Sequence, residues 1–439
     1  MPERLKSTVV FDDTNGMQRV PDRDYDRHRS VHLCFTRSAG GHGPAGYDVR
    51  AWGPAFPPRG DGSYRGWLDG AEVVQEAVAV LRETWQEHLI RHVHRDPRPD
   101  GPRTVFPFVD AGEGGRVDCP HLDGIGLRLA RAGNDLFQLL FYGGDTGMRE
   151  IGETLFRALD GGECIVTVES DDLFVPWNLL YTAGGPAGDA QGRLVDDTWS
   201  FAGFWGHRHL VEHNFSRVRG YDSRISVPEG PVGVGLNVDD RVDEEYPPTP
   251  FVAELPGIFD RCARETAVTV RRSKSELAGA FRAMKFDDHI SFFGCHGQVT
   301  DQDGAARSSW LELADGEKIY GSEIAGWLSR DEPMPMRPLV FVGACQGGQL
   351  SSAFYPAAGY HLLRNGARCL LGPQVDLPRA FAREYATLLF GTLLDRGSRL
   401  GDAVRELSRF YADDRGNPLG LIFTLYRGLD VHFWPRGPE

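Results

Sequence analysis

Two short apolar runs, each stopping abruptly at a turn of small residues, constrain this chain more than any other feature. One is HISFFGCHGQ (289–298), the other LVFVGACQGGQ (339–349). Short, mostly apolar runs bounded by glycine (Ile290 to Phe293, interrupted only by Ser291, and Leu339 to Val342) read as fully buried strands of a parallel sheet. The first run ends on His296 and Gly297, the second on Gly343, Ala344 and Cys345, followed by Gln346, Gly347 and Gly348. His296 and Cys345 are 345 − 296 = 49 positions apart, room for one crossover between neighbouring parallel strands. An imidazole and a thiol are thereby predicted at the same carboxyl edge of one sheet, where open α/β folds place their sites.

The surrounding pattern extends this frame. From residue 230 onward, strand signals at 232–238, 267–271, 290–294, 368–371 and 421–426 alternate with helical spacing at 251–264, 275–284, 357–364, 380–394 and 401–411. Such alternation predicts an α/β unit, a mostly parallel sheet flanked by helices. Upstream lie a polar lead-in (1–28), a hairpin with a long loop (30–37 and 47–52) and a helix over 68–92. Then come a Pro- and Gly-rich connection (95–120), helices over 124–141 and 147–159, and a strand at 164–169. The apolar cluster that follows, FVPWNLLYTAGG (174–185), carries no reactive group and reads as a plug between packed layers. Three regions are expected: 1–120, an α+β hairpin and helix region; 121–225; and a catalytic half, 226–439. No repeat of 20–50 residues is visible, which excludes a solenoid.

Composition excludes several classes of function. The 439 residues carry a formal net charge of −14, the wrong sign for direct nucleic-acid binding. No apolar run approaches the roughly 18 residues of a membrane span. The first residues lack the charged-then-apolar order of a secretion signal, so a cytoplasmic location is expected. Seven cysteines without a CxxC pair fit reduced, mostly structural thiols. Cys295, beside His296, is expected on the opposite face of its strand and in the core.

A cysteine peptidase needs a thiolate, a base to make it and donors for an oxyanion. Cys345 is the candidate nucleophile and His296 the base, with the amides of Cys345 and Gly297 as oxyanion-hole donors. Candidates for the first substrate pocket are Gly343, two before the nucleophile, Asp376 after the next strand, and Asp239 (or its neighbour Asp240) after the first strand of the alternating region. Gly343 brings no charge, so an uncharged residue before the cut is preferred; an Asp376 carboxylate in the pocket would favour a basic one. Competing constellations are weaker. His207, His209 and His213 lack a cysteine or carboxylate at zinc spacing. The acidic run 239–245 reads as solvated rather than calcium-binding. The polar stretch 301–309 reads as a turn, with a lid or self-cleavage site as its functional alternative. No P-loop or GxGxxG follows a strand. No metal and no cofactor is called for.

The residues His296-Gly297 and Gly343-Ala344-Cys345, each after an apolar strand, resemble the CHAT family of caspase-like peptidases, in the clan of caspases, metacaspases and separase. The resemblance continues into 370–373 and 417–428, and PWNLLY (176–181) is similar to the PWELLY-type motif of that family's amino-terminal half. This sequence departs from the pattern at Asn178, in place of the usual Glu, and at Gln346-Gly347 after the cysteine. The resemblance implies a caspase-like fold behind a divergent amino-terminal half. It also implies endopeptidase activity on a protein substrate, switched on by a protein partner in a bacterial defence or cell-death pathway. A caspase-like scaffold or sensor without catalysis is the alternative from another class.

Overall fold

The computed structural model describes residues 27–38, 45–58, 62–96, 101–110, 115–117, 119–216, 222–227, 230–244, 250–283, 286–300, 308–328, 334–343 and 355–434. The lead-in 1–26, the lid candidate 301–307 and the stretch 344–354 with Cys345 lie outside them.

The strands in chain order begin with an antiparallel meander, β1 (Val31–Ser38), β2 (Gly46–Trp52) and β3 (Tyr64–Leu68). A separate small hairpin, β4 (His94–Asp96) and β5 (Arg103–Val105), follows. Next come β6 (Ile165–Glu169), β7 (Leu210–Asn214), β8 (Arg224–Ser226), β9 (Val232–Val238), β10 (Thr266–Arg271) and β11 (Ile290–Gly294). A three-stranded antiparallel sheet, β12 (His296–Thr300), β13 (Ser308–Glu312) and β14 (Lys318–Tyr320), interrupts the alternation. The chain closes with β15 (Leu339–Val342), β16 (Cys369–Pro373), β17 (Phe423–Tyr426) and β18 (His432–Trp434), the last paired with β8.

Eleven strands form one sheet in the order β10-β9-β11-β15-β16-β17-β7-β6-β1-β2-β3. Its pairs are parallel except β16–β17, β1–β2 and β2–β3, so the mixed α/β fold is built on a mostly parallel sheet. The antiparallel β16–β17 pair divides it into two parallel blocks that point in opposite directions. Each of the regions 1–120, 121–225 and 226–439 contributes strands to this single sheet.

The central strands show why the sequence reads as buried on both faces. Ile290 and Phe292 of β11, Leu339 and Phe341 of β15, and Cys369 and Leu371 of β16 enter one core. The alternate residues Phe293, Val340, Val342 and Leu370 enter the other, the period of two that a pleated strand imposes. Cys295 also joins the second core and is 1% exposed. β10, at the sheet's edge, alternates between half-buried and exposed positions.

The helices expected in the amino-terminal half are α1 (Ala71–Trp85), α2 (Leu122–Tyr142) and α3 (Thr146–Gly161). α1 is shorter than the 68–92 read from its spacing and runs on as a π-helical turn, Gln86–Ile90. Asp145 ends the connection before α3 by accepting from the Met148 amide, a side-chain N-cap. The plug is real: Trp177, Leu179, Leu180 and Tyr181 are all buried, and the Trp177 indole N–H donates to His213 Nδ1 at 3.2 Å.

Candidate active site

The site is built at the carboxyl ends of adjacent strands. β9 and β11 run parallel with Val238 opposite Gly294, and the Asp239 amide donates to the Gly294 carbonyl at 3.1 Å. Asp239, the first residue after β9, therefore lies level with the end of β11. The chain leaves β11 through Cys295 and enters β12 at His296, which brings imidazole and carboxylate together. His296 Nδ1 lies 2.6 Å from Asp239 Oδ2. The Asp239 side chain is 0% exposed and that of His296 10%.

A guanidinium completes the arrangement. Arg241 Nε donates to Asp239 Oδ1 at 2.8 Å and Nη2 to Oδ2 at 2.7 Å, and the Arg241 amide donates to Oδ1 at 3.0 Å. The same Nη2 reaches Glu312 Oε1 and the Leu313 carbonyl, both at 2.9 Å. Glu312 stands opposite His296 in the β12–β13 ladder. Burial pushes the Asp239 carboxyl up, but the hydrogen bonds from His296 and Arg241 outweigh it and hold the pKa at about 2. Asp239 is thus a fixed anion against one imidazole nitrogen, an arrangement that sets the tautomer and steadies a positive charge on the ring.

On the other side of β11 lies β15, parallel to it, with Phe293 opposite Val342. The Gly343 amide donates to the Phe293 carbonyl at 2.8 Å. The two strands that lead to the imidazole and to the cysteine are therefore direct neighbours, as their spacing predicts. Cys345 itself, two residues beyond Gly343, lies outside the described residues. Gly297 is buried and stands opposite Leu311 in the β12–β13 ladder.

The pocket candidates take different places. Asp239, expected at a pocket wall, instead faces His296 and Arg241. Its neighbour Asp240 pairs with Arg272 at 2.6 Å. Asp376 is gripped by Gln86 at the end of the first helical stretch: Gln86 Nε2 donates to its Oδ2 at 2.7 Å, and the Asp376 amide donates to Gln86 Oε1 at 3.0 Å. The sequence reading missed Asp239 as a partner of His296, together with Arg241 and Glu312. One signal was present: Asp239 follows an apolar strand just as His296 and the Gly343 turn do.

The three histidines weighed for zinc are dispersed by β7. His207 Nε2 meets the Asp413 carboxylate at 2.9 Å. His209 Nδ1 accepts from the Cys164 amide at 3.1 Å. His213 lies between the Trp177 indole and, at 2.9 Å from Nε2, the Ser170 carbonyl. Burial drives the pKa of His209 down to about 3 and that of His213 to about 4.

No protein-family model matches the chain. A probable protease of Vitiosangium sp. is 24% identical over 263 residues, which covers 57% of this chain and 33% of that protein. The matched part thus spans a third of the relative's length. Two crystal structures of the separase–securin complex of Saccharomyces cerevisiae overlap the chain at 12% and 11% identity. Their TM-scores are 0.33, over 80% of this chain and 22% of that one, and 0.37, over 92% and 30%. At those TM-scores the likeness carries no weight for function. Among the described residues, no helix is long and apolar enough to cross a membrane.

Proposed function

We propose that the chain is a cysteine endopeptidase of the caspase-like kind, with Cys345 as nucleophile, His296 as base and acid, and Asp239 as the group that orients His296. The observation that carries this reading is the 2.6 Å contact between His296 Nδ1 and Asp239 Oδ2, beside the strand whose continuation bears Cys345. With Nδ1–H given to Asp239, Nε2 is the basic nitrogen. It takes the Cys345 thiol proton as sulfur attacks the scissile carbonyl carbon. The amides of Cys345 and Gly297 hold the oxyanion. Collapse breaks the C–N bond, and His296 returns the proton to the leaving amine. Water, deprotonated by the same nitrogen, then releases the thioester. The name of the Vitiosangium relative agrees with this class of reaction.

Gly343 supplies no charge, Asp376 is engaged by Gln86 and Asp239 by His296 and Arg241. Together these favour an uncharged residue before the cut. The protein substrate, control by an activating protein partner and a place in a bacterial defence or cell-death pathway belong to the same proposal; they follow the resemblance carried by the strand-end motifs.

The test is cleavage of a degenerate peptide library by the purified protein beside Cys345→Ala, His296→Ala and Asp239→Asn. The first two variants are expected to lose all cleavage. Asp239→Asn keeps the shape but not the charge and is expected to lower kcat by on the order of 10²–10⁴-fold with KM little changed. Undiminished cleavage by Cys345→Ala overturns the proposal. If the unmodified protein is silent, alkylation of Cys345 decides. A fast, His296-dependent reaction marks an enzyme awaiting its partner, and an inert thiol marks the non-catalytic scaffold.

A further inference from the structure

One strand beyond the site, the edge of the sheet continues into a segment that the amino-terminal region takes hold of. β16 lies parallel to β15, with Phe341 opposite Leu371, and adjacent strands are about 4.8 Å apart. The residues after β16, 374–376, therefore leave the sheet at the same carboxyl edge as the turn that leads to Cys345. They include Asp376, whose carboxylate would attract a basic side chain if it faced a substrate.

Two side chains of the first helical stretch hold this segment. Arg82 and Gln86, spaced i and i+4 and both buried, share one face of it. Arg82 Nη2 donates to Gln374 Oε1 and to the Phe174 carbonyl, both at 2.9 Å. Gln374 is buried as well, and its backbone amide donates to the Ile422 carbonyl at 2.9 Å. Gln86 closes on Asp376 with two bonds, Nε2 donating to Oδ2 and Oε1 accepting from the backbone amide. α1 gives way to its π-helical turn at Gln86, and such turns recur at functional sites. An amide fixes a carboxylate in place without cancelling its charge, so what Asp376 attracts depends on where Gln86 holds it.

We propose that Gln86 sets which side chain is accepted before the cut: it holds the Asp376 carboxylate away from the first substrate pocket, which thereby takes an uncharged residue. Gly343 adds no charge there. Gln86 is a positioning residue in this scheme, acting through Asp376, and the inference rests on Cys345 being the nucleophile. It gives the amino-terminal region a part in the site, since the residue that governs the pocket comes from the first helical stretch. Loss of the clamp lets the Asp376 side chain turn toward the pocket, where it pairs with an Arg or Lys of the substrate.

The experiment compares the unmodified full chain with Gln86→Ala, Gln86→Glu and the double variant Gln86→Ala with Asp376→Asn. Gln86→Glu keeps the shape of the side chain and sets one carboxylate against another, so it releases Asp376 even where the smaller residue harms folding. In a degenerate peptide library the unmodified protein is expected to cut after uncharged residues, and both single variants to gain cuts after Arg and Lys. For such peptides kcat/KM relative to neutral ones should rise on the order of 10-fold, the effect of a unit charge a few ångströms away at a protein surface. The double variant should lose the gain. A general loosening of the fold would lower all cleavage and leave this ratio where it was.

Where the unmodified protein cleaves nothing, alkylation of Cys345 decides, since it needs no turnover. Cationic 2-bromoethylamine is compared with neutral bromoacetamide, and the modified cysteine is identified by peptide mass. A change in thiol reactivity affects both reagents, so their rate ratio reports the charge beside the sulfur. That ratio is expected to rise in both single variants and to return in the double variant. A cleavage profile, or for a silent protein an alkylation ratio, that the single variants leave unchanged overturns the inference. So does a gain that survives Asp376→Asn, or cutting after Arg and Lys by the unmodified protein. A Cys345 that neither supports cleavage nor reacts overturns the peptidase reading itself, and the inference with it.

Discussion

Three histidines in different surroundings show what those surroundings do to one side chain. His296 sits against an anion that a guanidinium holds charged. His209 and His213 are 2% and 0% exposed and face neutral partners. Their burial makes the protonated form costly, so the folded pKa values drop to about 3 and about 4. The sign of the linkage follows. The unfolded chain takes up protons near pH 6.5 while the folded one does not, so this contribution to stability is complete above pH 6.5 and is lost as pH falls toward 4. The loss approaches roughly 1.4 kcal/mol per pH unit for each histidine. Urea midpoints measured from pH 7 down to 4.5 should fall accordingly, and His213→Gln should flatten that slope. A slope unchanged by the substitution would refute the assignment.

The same residues show what the sequence conceals. His209 and His213 look like metal ligands when counted by spacing, because the partners that satisfy them lie some 40 positions away, at Cys164 and Ser170. Asp239 looks solvated within an acidic run, because Arg241 and His296 cancel its charge only in three dimensions. His296 and the strand leading to Cys345 were legible because apolar runs ending in glycine announce themselves locally.

Among the elements, strands rich in apolar residues such as β11 and β15 are readable, and β7 is not. Its sequence LVEHN carries Glu212 and His213, yet all five residues are buried, since distant groups pair the polar ones. β12, HGQVT, shows no apolar alternation that would announce it as a strand. The segment containing Trp177 is held in place by a contact from far along the chain. Asn178 Nδ2 donates to the Phe423 carbonyl, which anchors the plug to β17. A carboxylate there has no proton to donate. Asn178→Asp is therefore expected to cost about 1–3 kcal/mol, the range for a buried acceptor deprived of its donor. A urea denaturation series would measure it, and an unchanged midpoint would show the bond to be dispensable.

Across the whole molecule, a buried ion cluster ties the chain's early and late parts. Arg29 Nη2 meets Glu212 at 2.9 Å and its Nη1 meets Asp430 at 2.8 Å, with all three side chains at most 2% exposed. Arg27 adds contacts to Asp430 at 2.7 Å and Asp402 at 2.9 Å. Glu212 also accepts from Thr167 and from the Leu429 amide. Glu212→Gln leaves Arg29 with half its compensation and should cost about 3 kcal/mol, the low end for breaking a buried pair because Asp430 remains. Tryptophan fluorescence and far-UV circular dichroism should still lose signal in one coincident transition. Two separated transitions would mean that the blocks of the sheet melt independently.

β17 is the last strand of the large sheet to be synthesised and stands sixth of eleven across it. During translation, the block ending in β16 and the block ending in β7 each present an open edge until residues 423–426 have emerged. A ribosome halted short of Phe423 would hold two half-sheets with nothing between them, exposed to whatever strand comes near. Joining of the two blocks into one continuous sheet is thereby timed by the position of one short strand.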